Sequence, residues 1–151
     1  MKTKFNYKGV HSCEAVVLCC IDFRFWRETV EFAEKELGLK SFDFPSLPGA
    51  AKAINEGNDL ALGCISVPCD LHHVKKIVIV NHSDCGAYGG SSKFNGDSEA
   101  EQKFHEEELQ KAKNIILEKY PASTAGRPDK EVILVYAKLA DEGEIIEFVV
   151  L

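Results

Sequence analysis

The sequence lacks the features that would direct a protein to a lipid bilayer or to a nucleic acid. No apolar run approaches the roughly 18 residues that a membrane-spanning helix needs. Acidic residues outnumber basic ones by 24 to 18, for a formal net charge of -6, and the basic residues are scattered. Because phosphate backbones are bound by clustered Lys and Arg side chains, we expect neither a membrane nor a nucleic acid as a partner.

The first eight residues are polar and contain no apolar core, so we expect no secretory leader there. We therefore expect a soluble, cytoplasmic protein. In a reducing compartment, its six cysteines are more often metal ligands, catalytic groups or buried side chains than disulfide partners. The 151 residues, of which 45% are hydrophobic and 28% charged, predict a single domain over residues 1–151.

Short apolar runs alternate along the chain with amphipathic segments. Runs rich in β-branched or aromatic residues predict strands at 15–21, 41–44, 76–81, 132–136 and 145–151. Helical periodicity predicts helices at 26–37, at 50–64, and from a capping box that begins at Ser98. A mobile Gly- and Ser-rich loop at 86–97, a polar connection at 121–130 and a turn at 141–143 are also predicted. This order indicates a three-layer α/β domain, with a mainly parallel sheet between helices and a C-terminal hairpin.

Two of the predicted strands end in candidate metal ligands. Cys20 ends the first strand, and His82 and Cys85 follow the third strand as His-x-x-Cys. Because parallel strands carry their functional residues at their carboxyl ends, we expect these side chains to converge. Two thiolates and an imidazole select zinc over magnesium or calcium, and three protein ligands leave a fourth position open, as in catalytic sites. The alternative is that Cys20 is an apolar filler at the end of a strand.

Asp22 and Arg24 follow Cys20 at alternate positions. Alternate side chains on an extended chain point to the same side, so both are predicted to lie beside the metal. A carboxylate there can accept a hydrogen bond from zinc-bound hydroxide, and an arginine can hold it in a bidentate pair. The alternatives are an exposed ion pair of little consequence and a carboxylate that itself ligates the metal.

The other thiols and imidazoles give weaker signals. We interpret a second cluster with plausible ligand spacing as packing residues rather than as a metal site; it consists of Cys64, Cys69, His72 and His73. Cys19 is predicted to lie in the core, on the side of the strand opposite Cys20, and His105 is predicted to be solvated on a charged helix.

Substrate contacts have only weak candidates. The backbone N–H of Gly86 is of the kind that can hold an anion, although Gly86 could equally be a loop glycine that allows positive φ. Tyr88 is a candidate for an apolar wall around a small neutral substrate. Core packing is the expected role of Phe23 and Phe25.

The combined pattern resembles the β-class carbonic anhydrases over roughly residues 14–150. Two segments carry the resemblance: Cys20-Ile21-Asp22-Phe23-Arg24 and His82-Ser83-Asp84-Cys85-Gly86. It implies Zn²⁺ bound by Cys20, His82 and Cys85, with Asp22 and Arg24 as a catalytic dyad. The implied reaction is the reversible hydration of carbon dioxide to bicarbonate by zinc-bound hydroxide, and the implied assembly is a homodimer or larger.

The sequence departs from that family at Ser46-Leu47-Pro48-Gly49-Ala50, where members usually carry Arg-Asn-Ala-Gly. It therefore resembles a short, divergent member. Two other functions suit the same pattern. One is hydrolysis of carbon disulfide or carbonyl sulfide, which are also linear and apolar. The other is zinc binding without catalysis, with Asp22 as a permanent fourth ligand.

Overall fold

A computed structural model describes residues 2–7, 9–120 and 130–151. These residues form five strands: β1 (Ala15–Cys19), β2 (Phe42–Asp43), β3 (Lys76–His82), β4 (Glu131–Ala140) and β5 (Ile145–Val150). The same described residues form four α-helices: α1 (Trp26–Lys35), α2 (Ala51–Asn55), α3 (Asp59–Leu71) and α4 (Ser98–Lys119). Short 3-10 helices occur at Gly86–Tyr88, Ser91–Phe94 and Asp141–Gly143. None of the described helices is both long enough and apolar enough to cross a membrane.

The strands form one sheet in the order β2-β1-β3-β4-β5. The first four strands run parallel, whereas β5 returns antiparallel to β4 after the Asp141–Gly143 turn. The predicted α/β class, the mainly parallel sheet and the C-terminal hairpin are therefore confirmed. In β1 and β3, which are neighbours, Cys19 pairs with Val80. This register brings the residues that follow both strands to the same edge of the sheet.

Apolar side chains of β1 alternate between two cores, one on each face of the sheet. Val16 and Leu18 pack in the core that α2, α3 and α4 cover, and Val17 and Cys19 pack in the core beneath α1. All five residues of β1 are buried, as a strand covered on both faces requires. Cys19 therefore lies in the core, as predicted.

The predicted helix over 50–64 is two helices. The chain turns at Gly57, whose φ of +69° favours glycine, and Asn58 then caps α3 by accepting hydrogen bonds from Leu60 N and Ala61 N. The predicted capping box at Ser98 is also wrong. Asp97 is the N-cap of α4, since its Oδ1 accepts hydrogen bonds from Glu99 N and Ala100 N.

Two further sequence predictions concern the segments that flank α4. The Gly- and Ser-rich stretch at 86–97 contains two of the 3-10 helices, so much of it has regular backbone structure. The polar connection predicted at 121–130 lies outside the described residues, apart from Lys130.

Candidate metal centre

The three predicted metal ligands meet where β1 and β3 end. One ligand atom from each of Cys20, His82 and Cys85 lies within 4.8 Å of the other two. The side chains are buried, with exposed fractions of 7%, 2% and 2%. Cys20 directly follows β1, His82 is the last residue of β3, and Cys85 directly precedes a 3-10 helix. The parallel pairing of the two strands is therefore what brings residues distant in sequence together.

The spacing of these atoms suits a tetrahedral zinc ion. Zn–S bonds of about 2.3 Å at a tetrahedral angle separate two sulfurs by about 3.8 Å, and Cys20 Sγ lies 3.9 Å from Cys85 Sγ. The Nδ1 atom of His82 lies 2.7 Å from Ser83 O. Because a carbonyl only accepts, Nδ1 carries the proton and the lone pair is on Nε2.

His82 Nε2 is buried and has no hydrogen-bond partner among the described residues. A buried acceptor without a partner costs free energy, and a metal ion would relieve that cost. The donor set therefore fits zinc.

The two thiols share a hydrogen bond. The bond from Cys85 lowers the pKa of Cys20, and the same bond raises the pKa of Cys85. Gly49 N also donates to Cys20 Sγ, at 3.4 Å. Gly49 has a φ of +71°, and a Cβ at that position would lie 3.0 Å from Ala87 Cβ. Glycine thus allows the backbone to approach the Cys20 sulfur closely.

Arg24 holds Asp22 in a bidentate pair beside the three ligands. Arg24 Nε lies 3.0 and 3.1 Å from the two carboxylate oxygens of Asp22, and Nη2 lies 2.6 Å from Oδ2. These hydrogen bonds lower the pKa of Asp22 to about 2 and raise the pKa of Arg24. Asp22 is therefore an ionised acceptor at neutral pH, turned toward Arg24.

Asp22 and Arg24 were predicted to lie on the same side because alternate residues of an extended strand point the same way. That reason is wrong. The strand geometry that would align alternate residues ends with β1 at Cys19. The chain turns instead, with Phe25 N donating to Asp22 O at 3.2 Å and Arg24 N donating to Asp22 Oδ1 at 3.0 Å. Such turns suit Asp because its short side chain reaches a backbone N–H two residues on.

Two carboxylates that the sequence analysis did not assign complete this network. Arg24 Nη1 donates to Asp84 Oδ2 at 3.0 Å, and Nη2 donates to Asp84 O at 3.2 Å. Glu101, only 3% exposed, accepts from Asp84 N at 2.8 Å and from Ser91 Oγ at 2.7 Å. Glu101 thus fastens the segment between His82 and α4. In the predicted capping box, Glu101 is the residue three positions after Ser98, and a capping role was therefore expected for it.

Aromatic rings line the buried side of the centre. Phe25 packs on His82 with ring centroids 4.2 Å apart, and Tyr88 packs against the two sulfurs. Tyr88 is 8% exposed, as expected for a wall residue, whereas Phe23 is 81% exposed, so the core role predicted for Phe23 is wrong. Gly86 begins the 3-10 helix that carries Tyr88. The assignment of Gly86 and Tyr88 to substrate contacts stays a prediction.

A second layer behind Tyr88 contains His105, and the prediction that His105 is solvated is wrong. Its side chain is fully buried and stacks on Tyr136 with ring centroids 5.3 Å apart. Asn81 Nδ2 lies 3.2 Å from His105 Nδ1 and 3.4 Å from the Tyr88 hydroxyl. Burial lowers the pKa of His105 to about 4. His105 was predicted to be solvated because many residues of α4 are charged, but it lies on the face of α4 that packs against the sheet.

The cluster interpreted as packing residues divides into different environments. Cys69 lies in the core beneath α3 and α4, Cys64 is half-buried on α3 and His73 is exposed. His72 contacts Asp43 instead of the cysteines of α3.

Comparisons with known proteins show which family this chain belongs to. Residues 10–125 match the protein family described as "Putative carbonic anhydrase", and the matched segment contains Cys20, Asp22, Arg24, His82 and Cys85. An uncharacterised protein of Rickettsia bellii is 35% identical over 127 residues, which cover 79% of this chain and 77% of that protein.

Solved structures with a similar fold include two β-carbonic anhydrases. The β-carbonic anhydrase isoform I of Trichomonas vaginalis has a TM-score of 0.56 at 17% identity, covering 99% of this chain and 87% of its own. A tetrameric β-carbonic anhydrase of Sordaria macrospora has a TM-score of 0.50 at 20% identity, covering 93% and 82%. At these identities the likeness concerns the fold alone. Together with the family match over most of the chain, it identifies this protein as a divergent member of the carbonic anhydrase family with the β-carbonic anhydrase fold.

Proposed function

We propose that the protein catalyses the reversible hydration of carbon dioxide to bicarbonate, with Zn²⁺ held by Cys20, His82 and Cys85. One observation carries the proposal. The carboxylate of Asp22 is held by Arg24 and, among the described residues, is not part of the group of converging ligand atoms. Three protein ligands then leave one position for a reactant, which is the arrangement of catalytic zinc sites.

Each residue of the dyad has a distinct task in this proposal. When bound, zinc supplies the Lewis acidity that makes a water molecule nucleophilic near neutral pH. Asp22 accepts a hydrogen bond from the nucleophile and so turns its lone pair toward the carbon of carbon dioxide. Arg24 keeps Asp22 ionised and oriented. The rings of Phe25 and Tyr88 give the uncharged substrate an apolar wall, from which the bicarbonate anion departs more readily.

The same pairing argues against a zinc-binding protein without catalysis. In that alternative, Asp22 would be a permanent fourth ligand. Asp22 would have to give up three hydrogen bonds from the Arg24 guanidinium to reach the metal. Charge-assisted bidentate pairs are among the stronger hydrogen bonds in proteins, so the open arrangement is the one that Arg24 favours.

We further propose a homodimer or a larger homo-oligomer. Three large apolar side chains beside the dyad are exposed: Ile21 by 58%, Phe23 by 81% and Trp26 by 45%. Contiguous apolar residues on a surface commonly mark an interface, and the Sordaria macrospora relative is tetrameric. Sedimentation velocity at micromolar concentration tests this proposal, and a stable monomer would refute it.

The decisive experiment measures carbon dioxide hydration by stopped flow on zinc-loaded protein across pH, alongside metal analysis. Wild-type protein and the control variant Cys64→Ser should hydrate carbon dioxide, whereas Cys20→Ser and Cys85→Ser should lose both activity and the zinc of this centre. Zinc at this centre without hydration at any pH would identify a non-catalytic protein. Turnover of carbonyl sulfide or carbon disulfide alone would assign the centre to the related hydrolysis. If Cys20→Ser and Cys85→Ser both bind as much zinc as wild type, the ligands are elsewhere.

A further inference from the structure

A second group of ligand-type side chains lies at the opposite end of the sheet. Cys13 lies two residues before the start of β1, Asp43 is in β2, and His72 directly follows α3. Cys13 and Cys20 are separated by the length of β1, roughly 20 Å for seven extended residues. This group is therefore independent of the centre formed by Cys20, His82 and Cys85.

We propose that Cys13, Asp43 and His72 form a second binding site for a zinc-class divalent ion. One ligand atom from each residue lies within 4.8 Å of the other two. The group combines a thiol, a carboxylate and an imidazole, and such mixed sulfur, oxygen and nitrogen donors suit zinc and neighbouring transition metals rather than magnesium or calcium.

The sulfur–oxygen distance in this group matches the one that zinc would impose, and the nitrogen–oxygen distance is shorter. Cys13 Sγ lies 3.5 Å from Asp43 Oδ2, and tetrahedral zinc bonded to sulfur and oxygen separates those atoms by about 3.5 Å. His72 Nδ1 lies 2.6 Å from the same oxygen, as expected where a proton lies between them. Replacing that proton by zinc requires a separation of about 3.3 Å, which small side-chain rotations supply.

The backbone already holds the three residues in place. Cys13 N donates to His72 O at 3.2 Å, and Glu14 N donates to Ser41 O at 3.0 Å. These bonds join the segment before β1 to the end of α3 and to the start of β2. Ligands that are positioned before metal binding lose less conformational entropy when the metal binds.

The site is accessible and has a candidate fourth ligand. A cleft of about 440 Å³ is lined by Cys13, Asp43 and His72 together with His11. The ring of His11 lies 5.2 Å from that of His72, centroid to centroid. The side chains of His72 and Asp43 are 30% and 31% exposed, so an ion can enter from solvent. His11 is not part of the group of converging ligand atoms, so we assign it as a fourth ligand that turns toward the ion on binding, with water in its place when His11 is removed.

Nucleophilic catalysis does not fit the same residues. A catalytic cysteine needs a base within hydrogen-bond reach, and a third group must orient that base. Here Cys13 Sγ has hydrogen bonds to Asp43 Oδ2 and to Ala15 O within the described parts of the chain, and His72 Nδ1 contacts the same Asp43 oxygen. The carboxylate therefore bridges the other two groups, which suits a shared cation better than proton transfer from the thiol.

Native mass spectrometry and metal analysis after saturation with zinc test the site by counting ions. Cys13→Ser and Asp43→Asn should each bind one zinc fewer per chain than wild type, whereas Cys64→Ser should bind the same number. The test does not depend on the proposed function, because it can be repeated in protein that already carries Cys20→Ser. In that background, Cys13→Ser should still remove one zinc ion per chain. Equal zinc content in wild type, Cys13→Ser and Asp43→Asn would overturn the inference.

Cobalt(II) supplies a second readout that folding defects do not mimic. Added to Cys20→Ser protein, cobalt should produce a thiolate-to-metal charge-transfer band that disappears in the additional Cys13→Ser variant. His11→Ala should keep the band and weaken cobalt affinity by about 10-fold or more, as loss of one ligand implies. Circular dichroism of the metal-free variants checks that they are folded. A band that persists without Cys13, or none in its presence, contradicts the assignment.

Discussion

Arg24 and Asp84, sixty positions apart in the chain, are joined by a hydrogen bond of 3.0 Å from Nη1 to Oδ2. The same guanidinium holds Asp22. Arg24 therefore connects the turn after β1 to the turn after β3, which are the two segments that carry Cys20 and Cys85. The pKa of Asp84 is lowered by this hydrogen bond. A single cation thus orients two carboxylates beside the candidate metal centre.

Arg24→Ala should release Asp22 and leave the metal content unchanged. The freed carboxylate would compete for the open ligand position, so hydration activity should fall steeply and its pH dependence should move upward. Asp22→Ala cannot close the site, so its activity should drop without that upward shift. Stopped-flow pH profiles with metal analysis distinguish the two. Arg27→Ala, on the exposed side of α1, is the matched control. Loss of zinc or of folding in Arg24→Ala would show that Arg24 is structural.

The Asp22–Arg24 pair should contribute stability with a defined pH window. Folding lowers the pKa of Asp22 from 3.8 to about 2, so the ionised form is favoured in the folded state. The contribution is present above about pH 4 and is lost as the pH falls through 2. It should be below about 1 kcal/mol, because the pair is partly exposed.

This window can be measured by urea unfolding of the metal-free protein between pH 5 and 2. The difference in the free energy of unfolding between wild type and Asp22→Asn should shrink as the pH falls. Glu118→Gln, which changes an exposed carboxylate on α4, should give no such trend. A difference that grows toward acid pH would contradict the assignment.

Glu101→Gln should destabilise the protein and lower its activity together. Glu101 accepts hydrogen bonds at both oxygens, from Asp84 N and Ser91 Oγ. A glutamine has one acceptor oxygen and an NH₂ group that only donates, so the Ser91 hydroxyl would have to accept instead of donate. Two hydrogen bonds to a charged acceptor, worth about 1.5–3 kcal/mol each, are thereby replaced by neutral ones worth about 1 kcal/mol each. Thermal unfolding and stopped-flow assays measure both effects, and Glu99→Gln on the exposed first turn of α4 is the control. Unchanged stability would show that Glu101 does not fasten the segment.

Because His105 is buried, the free energy of unfolding of the protein should decrease as the pH becomes mildly acid. Burial lowers the pKa of His105 to about 4, so the unfolded chain binds a proton on this residue below about pH 6.5 that the folded protein does not. Stability should therefore fall as the pH decreases from about 6.5 to 4. In His105→Gln that decrease should be smaller, and in His73→Gln, which changes an exposed residue, it should match wild type. Urea unfolding series at each pH measure the slopes.

The order of strands and helices and the positions of Cys20, His82 and Cys85 followed from the sequence alone. A strand that is covered on both faces, such as Val16 to Leu18, needs apolar residues at every position. Such a strand can therefore be recognised in the sequence as a continuous apolar run. Ligand types at the ends of two parallel strands are likewise local features. Their convergence follows from the sheet, because β1 and β3 are neighbours.

Only the tertiary structure decided what surrounds the centre. Hydrogen bonds from Arg24 to Asp84 and from Asp84 N to Glu101 join segments 60 and 17 positions apart, and no local pattern encodes such distances. His105 is buried because it lies on the face of α4 that meets the sheet. Its charged neighbours in the sequence do not indicate which face that is. The grouping of Cys13, Asp43 and His72 likewise required the start of β1, the strand β2 and the end of α3 to lie side by side. Propensity and periodicity are properties of one segment, whereas these contacts arise where segments pack together.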